Sequence, residues 1–348
     1  MLSEDELTRL GHHLVNVTGA KTVHMTHIKR YHGGASRETY GLDVAIDGQA
    51  RGLIVRRDPV DSLIDTERAV EFAAYRSYEE SAVPVPKTLC LEEHDLSVLG
   101  APFFVMERID GGEAGSPFDP NSYAPHRNAI GQQFFDLLGQ IHARSAEDSP
   151  LAAVVGMPFP TDCWKIALDY WANEIEKDAL EPQPIGMAAI RWLKRNGPPP
   201  PPKRLTIIHG DYRTGNVLHD GAGKIIAVLD WEMAHIGDPH EDLAWALDPL
   251  WNSGDPGFAG GLIPRAEALN LWSAASGIAF DPEAFRWWEM FATVKGLGIW
   301  LSAARALNDG GNSDPILAFS GLYPLAQANQ LLATRLAELA EAASGGAA

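Results

Sequence analysis

Two cysteines, Cys90 and Cys163, are all that this chain offers for thiol chemistry. Two cannot build a disulfide framework, and they read as small buried hydrophobes in a reducing compartment, the cytoplasm. Long apolar runs are missing. No window approaches the roughly 18 uncharged apolar residues of a membrane span, and the acidic start MLSEDELTRL lacks the basic and apolar stretches of a signal peptide. Positive charge is scarce: 28 Lys and Arg against 46 Asp and Glu leave a formal net charge of −18. Nucleic-acid and membrane partners are therefore not expected, because binding phosphate backbones needs a basic face. A local nucleotide site remains compatible with that charge. No G-x-x-x-x-G-K-S/T loop and no G-x-S-x-G elbow occurs, which removes the P-loop and acyl-hydrolase readings.

What is present divides the chain in two. Its 348 residues are too many for one small core and suit two lobes. Ser3 and Glu6 form a capping-box pattern, Leu7, Leu10 and Leu14 follow at helical spacing, and Gly19 is a stop signal. KTVHMTHIKRY, ETYGLDVAI and ARGLIVRR then read as an antiparallel meander, residues 65–81 as a helix, and VPVPKTLCLEE and APFFVMERI as two more strands. Beyond residue 112 the pattern turns helical, clearest over 127–145. All ten tryptophans lie between Trp164 and Trp300, most of them expected in the core. Five prolines at 198–202 make a stiff spacer, and residues 341–348 read as a flexible tail.

Directly after that spacer comes IIHGDYRTGNVLHDGAGKIIAVLDWEMAHIGDPHEDLAW, residues 207–245. Two short strands joined by DGAGK would form a hairpin within 205–230, with His209 to Asn216 as the loop before it. Asp211, Asn216 and Asp230 can then converge at one end. Two carboxylates and a carboxamide supply only oxygen, the donor that Mg²⁺ prefers, with phosphate oxygens completing its shell. One Asp would remain to orient a hydroxyl and accept its proton.

The order H-G-D-x-x-x-x-N, thirteen residues, D-W-E, then G-D-P-x-x-D resembles the aminoglycoside phosphotransferase and choline kinase group, and most of all the kinase-like domains that accompany some acyl-CoA dehydrogenases. The resemblance covers roughly residues 25 to 325. It implies an α+β, bilobal, protein-kinase-like fold: an N-lobe of residues 1–108 with a five-stranded antiparallel sheet plus helix, a hinge at 109–112, and a larger, mainly helical C-lobe of 113–340 carrying the catalytic hairpin. It further implies ATP and Mg²⁺ as cofactors, Asp211 as catalytic base, Arg213 on the transferred phosphate, Asn216 and Asp230 as metal ligands, and Asp242 and His209 bracing the loop.

In the N-terminal half, Gly33, Gly34 and Ser36 sit in a turn whose backbone N–H groups could approach phosphates. Arg56 stands where the family usually has a phosphate-clamping lysine, with Arg57 as its rival on the opposite strand face. Glu71 would pair with that cation, Glu67 being the alternative one turn earlier. Met106, Glu107 and Ile109 resemble the inter-lobe hinge, where backbone atoms of Glu107 and Ile109 would read the adenine edge. His24, His27 and His32 are not expected to hold a metal, because strand alternation scatters them over both faces.

The acceptor is expected to be a small-molecule hydroxyl. Residues 183–210 hold no acid and five bases, Arg191, Lys194, Arg195, Lys203 and Arg204, a strip suited to an anionic acceptor such as a hydroxyacyl-CoA. Trp164, Tyr170, Trp171, Trp287 and Trp288 could instead line a pocket for a bulky alcohol. Two rival readings are an antibiotic-inactivating kinase, which needs an acidic pocket wall, and a nucleotide-binding pseudokinase, which the arginine at position 56 would suit.

Overall fold

The computed structural model describes residues 2–31, 38–58, 68–119, 121–201, 204–252, 255–310 and 315–345. The N-terminal capping box forms in full. Ser3 Oγ accepts the Glu6 N–H, the Glu6 carboxylate accepts the Ser3 N–H at 2.7 Å, and Gly19 ends helix α1 (Glu4–Thr18) in the left-handed region. Strands β1 (Val23–Tyr31), β2 (Glu38–Ile46) and β3 (Gln49–Arg57) form the antiparallel meander. Asp47 and Gly48, both at positive φ, make the tight β2–β3 turn. Helix α2 (Arg68–Arg76) follows, then β4 (Thr88–Glu92) and β5 (Phe103–Glu107). The five strands lie in the order β1-β2-β3-β5-β4.

Alternation along β5 ties this sheet to two cores. Phe103 and Val105 pack with Leu10 and Leu14 of α1, whereas Phe104 and Met106 join Ala73 and Tyr75 of α2 in the large core of the helical part. The same two-residue period on β3 aims Arg57 toward α1 and Arg56 toward the helical part. A bulge between Met25 and His27 breaks that period on β1, so His24 and His27 are both exposed instead of facing opposite ways. His32 lies outside the described residues.

The helical part begins with β6 (Glu113–Ala114) and α3 (Arg127–Ala143), followed by α4 (Pro150–Val155), α5 (Cys163–Asp178) and α6 (Pro184–Arg195). Strand β7 (Thr206–Ile208) does not join the hairpin. It pairs with β10 (His235–Gly237), while β8 (Val217–His219) and β9 (Ile225–Val228) form the hairpin and β6 adds a third strand to it. Helices α7 (His240–Ala246), α8 (Arg265–Ser276), α9 (Pro282–Asn308) and α10 (Pro315–Gly345) complete the lobe. Helix α10 runs through 341–345, part of the expected tail, and α2 is shorter than the expected 65–81. Five tryptophans, Trp231, Trp245, Trp272, Trp287 and Trp288, are fully enclosed. Among the described residues no helix is long and apolar enough to cross a membrane.

Leu138 on α3 is completely buried in the large core. Leu138→Ala should cost about 2–5 kcal/mol through lost transfer energy and the cavity left behind. A lowered urea midpoint measured by circular dichroism checks this.

Candidate active site

The loop between β7 and β8 is fixed from below by Asp242 on α7. Its Oδ2 accepts the His209 N–H at 2.6 Å and its Oδ1 the Gly210 N–H at 2.9 Å. His142 on α3 supports it: His142 Nδ1 accepts the Trp272 indole N–H at 2.9 Å, so Nε2 carries the proton and faces Asp242 Oδ2 at 3.3 Å. Burial by itself would push the Asp242 carboxyl up. The His142 hydrogen bond and the nearby His142, His209 and Lys295 outweigh it and hold the carboxyl at about 2. Gly210 adopts a φ of +83°, and a Cβ there would stand 2.3 Å from the Met233 carbonyl oxygen. Glycine is thus required on both counts.

Asp211 follows, and three donors hold its carboxylate. Trp245 Nε1 donates to Oδ1 at 2.8 Å, and Asn216 Nδ2 (2.8 Å) and Arg213 Nε (3.1 Å) donate to Oδ2. His209 links the loop to the second strand. Its Nδ1 accepts the Asp211 N–H at 3.2 Å and its Nε2 donates to the Leu229 carbonyl at 2.9 Å. Burial pushes the His209 imidazole below its ordinary value, consistent with that uncharged tautomer. Leu229 N–H in turn donates to the Asn216 carbonyl at 2.8 Å, which sets Asn216 one residue from Asp230 across the ladder.

Asp230 has a φ of +69°, a left-handed conformation that Asp tolerates better than most residues. Its N–H donates to the Tyr75 hydroxyl at 3.0 Å, and its Oδ1 accepts both terminal nitrogens of Arg56 at 3.0 Å. Arg56 also meets Glu71 at 2.9 Å and Glu232 at 3.2 Å. Desolvation raises the Asp230 carboxyl, but Arg56 and Arg213 prevail and hold it below the ordinary value. Glu71 and Tyr75 stand one turn apart on one face of α2, so this helix supports Arg56 and Asp230 together. Arg57 points away, to Glu6 and Glu38 at 2.8 and 2.5 Å.

The structure therefore brings together Asp211, Arg213, Asn216, Asp230, His209, Asp242, Arg56 and Glu71. Met106 is buried in the shared core, Glu107 ends β5 and Ile109 follows in the connection to β6. Gly33, Gly34, Ser36 and Glu67 lie outside the described residues. Trp245, His142, Trp272, Tyr75, Glu232 and Lys295 are additions that the sequence reading did not assign. Trp245, three residues after Asp242 on the same helix, Glu232, inside the D-W-E motif, and Tyr75, one turn from Glu71, had local signals, whereas His142, Trp272 and Lys295 had none.

As a metal site, the donor chemistry fits Mg²⁺. Asn216 and Asp230 offer hard oxygens side by side, and bound phosphate would supply others. Among the described residues no cluster of three or more His, Cys, Asp and Glu could hold an ion unaided.

A five-stranded sheet, a helix pairing Glu71 to a strand cation, and an Asp-Asn-Asp constellation on a hairpin define a kinase-type fold. The sequence profile of the APH phosphotransferase enzyme family matches residues 27–288, and the chain belongs to that family. Human acyl-CoA dehydrogenase family member 11 is 25% identical over 343 residues, 94% of this chain and 42% of that protein. Mouse acyl-CoA dehydrogenase family member 10 is 28% identical over 239 residues, 67% of this chain and 21% of that protein. The chain thus spans less than half the length of these relatives. Among solved structures, a putative aminoglycoside phosphotransferase from Ralstonia eutropha superposes with a TM-score of 0.74 at 20% identity, covering 94% of this chain and 98% of that one. A choline/ethanolamine kinase family protein from Mesorhizobium loti gives 0.58 at 16% identity, covering 94% and 95%.

Two outcomes are expected. Trp245→Phe keeps the ring but removes one donor from Asp211, and kcat for ADP release should fall roughly 10-fold with the KM for nucleotide unchanged. Asp242, with its carboxyl depressed to about 2, contributes stability that is complete above about pH 4 and disappears as the pH falls through its folded value. Asp242→Asn should be less stable at neutral pH and lose stability less steeply between about pH 4 and about pH 2 in acid titrations followed by fluorescence.

Proposed function

We propose that this chain transfers the γ-phosphoryl group of ATP, with Mg²⁺, to a hydroxyl of a small molecule, a hydroxyacyl-CoA or a bulky apolar alcohol rather than an aminoglycoside. The observation that carries the reading is the convergence of Asp211, Asn216 and Asp230 at the end of one hairpin with Arg56 reaching them from the sheet. Asp211 would orient the hydroxyl and accept its proton, and three fixed donors leave its carboxylate few alternative positions. Asn216 and Asp230 would hold Mg²⁺, which neutralises charge on the phosphates. Arg213 would sit on the transferred group, and Arg56, aligned by Glu71, on the other phosphates.

A cavity of 520 Å³ supports the acceptor class. It touches the catalytic loop twice, through Met233 beside Gly210 and through the Lys295 ammonium, which donates to the Gly210 carbonyl. Val70, Val155, Ile166, Ala167, Tyr170 and Trp171 supply apolar wall. Its acids, Glu232 and Glu241, each face a cation, which disfavours a polycationic antibiotic. Among the described residues the basic strip plays no part in this lining: Lys194 pairs with Asp169 and Arg204 with the Ala143 carbonyl, and Lys203 lies outside the described residues. Trp164, Trp287 and Trp288 also lie outside the lining, and Trp287 and Trp288 are core.

One observation favours the pseudokinase reading: Arg56 already engages Asp230, a proposed metal ligand. A panel of alcohols with Mg-ATP separates the two. ADP release with a hydroxyacyl-CoA or bulky alcohol, nearly abolished in a folded Asp211→Asn variant, is the expected result. Unchanged release in that variant refutes the mechanism, and nucleotide binding with no release across the panel favours the pseudokinase.

A further inference from the structure

Arg213 uses only part of its hydrogen-bonding capacity. A guanidinium carries five N–H donors. Its Nε donates to Asp211 Oδ2 at 3.1 Å, and neither terminal nitrogen has a protein acceptor among the described residues. The side chain is half-buried rather than enclosed. A long side chain tied at one nitrogen keeps rotamer freedom unless its plane is fixed by something else.

Trp251 supplies that second hold. The Arg213 guanidinium lies over its ring, with Cζ 5.5 Å from the centroid, within cation–π range. Trp251 is 2% exposed and is held in turn by ring contacts with Trp245 at 5.3 Å, Phe118 at 6.1 Å and Trp300 at 6.3 Å. Its place in the chain is set locally. Asp248 accepts the Leu250 N–H at 3.0 Å and so caps the short turn Pro249–Trp251 just beyond α7. The indole N–H of Trp251 is buried with no hydrogen-bond partner among the described residues, so the ring is placed for its face and not for its polar edge. A phenylalanine would avoid that unpaired donor, but tryptophan offers the stronger face to a cation.

Gly215 makes room for the same group. A Cβ there would stand 2.2 Å from Arg213 Nη1, and φ at this glycine is not positive, so close approach and not backbone conformation excludes a side chain. The Tyr123 hydroxyl donates to the Thr214 carbonyl and restrains the backbone beside it.

We infer that Trp251 is a positioning residue: with Gly215 it forms a cradle that holds the Arg213 guanidinium in one plane, its unengaged terminal nitrogens presented to the terminal phosphate of bound ATP. This deepens, and rests on, the reading of Arg213 as the partner of the transferred group. One segment, residues 242–251, then sets the loop backbone through Asp242, the Asp211 carboxylate through Trp245 and the Arg213 plane through Trp251.

The test compares the affinities of the intact chain for Mg-ATP and Mg-ADP by calorimetry, because only ATP carries the terminal phosphate. Trp251→Leu and Gly215→Ala should each lower the ATP-to-ADP affinity ratio about fivefold while leaving Mg-ADP binding unchanged. Trp251→Phe, which keeps a ring face, should hold the ratio within about twofold of the unsubstituted chain. In an Arg213→Ala background neither Trp251→Leu nor Gly215→Ala should lower the ratio further, an outcome that a merely structural role does not give. If Trp251→Leu does not fold, Gly215→Ala decides, since its Cβ meets the end of a flexible side chain. An unchanged ratio in these variants, an equal fall in Mg-ADP affinity, or further losses in the Arg213→Ala background overturns the inference. ADP release over the alcohol panel is followed separately. Release with an unmoved ratio sinks this inference alone, the expected shifts without any release sink the transferase reading while leaving the cradle, and binding of neither nucleotide removes both.

Discussion

One carboxylate holds the centre of this protein together. Asp242 takes the N–H groups of two successive loop residues, His209 and Gly210, with its two oxygens. A loop at this depth has no water to satisfy its backbone, so a side chain must do so. Because Asp242 rises from a buried helix and is held by His142, itself held by Trp272, the loop inherits its position from three helices. The residues that follow in the chain, Asp211, Arg213 and Asn216, are aimed by that attachment. The left-handed Gly210 lets the chain turn tightly enough to receive both bonds while passing under Met233.

A second constraint joins the two parts of the molecule. Arg56 from the sheet is met by Glu71 of α2 and by Asp230 and Glu232 beyond the hairpin. Arginine presents a planar fork of five donors, and three carboxylates around one guanidinium use that shape in a way a lysine could not. The pairing also explains how a buried Glu71 is tolerated, since an isolated carboxylate there would be costly. The departure from the usual lysine is thus matched by its surroundings rather than left as a defect in them.

Much of this was legible in the residues. The meander, its helix and the two further strands followed from β-branched runs and turn signals, and the capping box set the first helix. The spacing of His209, Asp211, Asn216, Asp230 and Asp242 along one stretch told of a shared site, because a hairpin brings such positions to one end. The choice between Arg56 and Arg57 was open until the sheet existed: strand parity puts them on opposite faces, and only packing decides which face meets α2 and which meets α1. A single extra residue, the bulge between Met25 and His27, undid the alternation expected for the histidines.

What the sequence by itself determined was the class of fold and the ordered polar stretch from His209 to Asp242, both written in short-range patterns of period, cap and spacing. What only the tertiary structure decided was long-range. His142, Trp272 and Lys295 lie far along the chain from Asp211, and no local pattern marks a histidine, a tryptophan or a lysine as a partner of a loop it meets only after folding. The basic strip made the converse point. Arg191, Lys194 and Arg195 follow closely along α6 yet none of them lines the chamber, while one solitary lysine from α9 is enclosed against the loop at Gly210. Contiguity belongs to the chain, and proximity is conferred by packing.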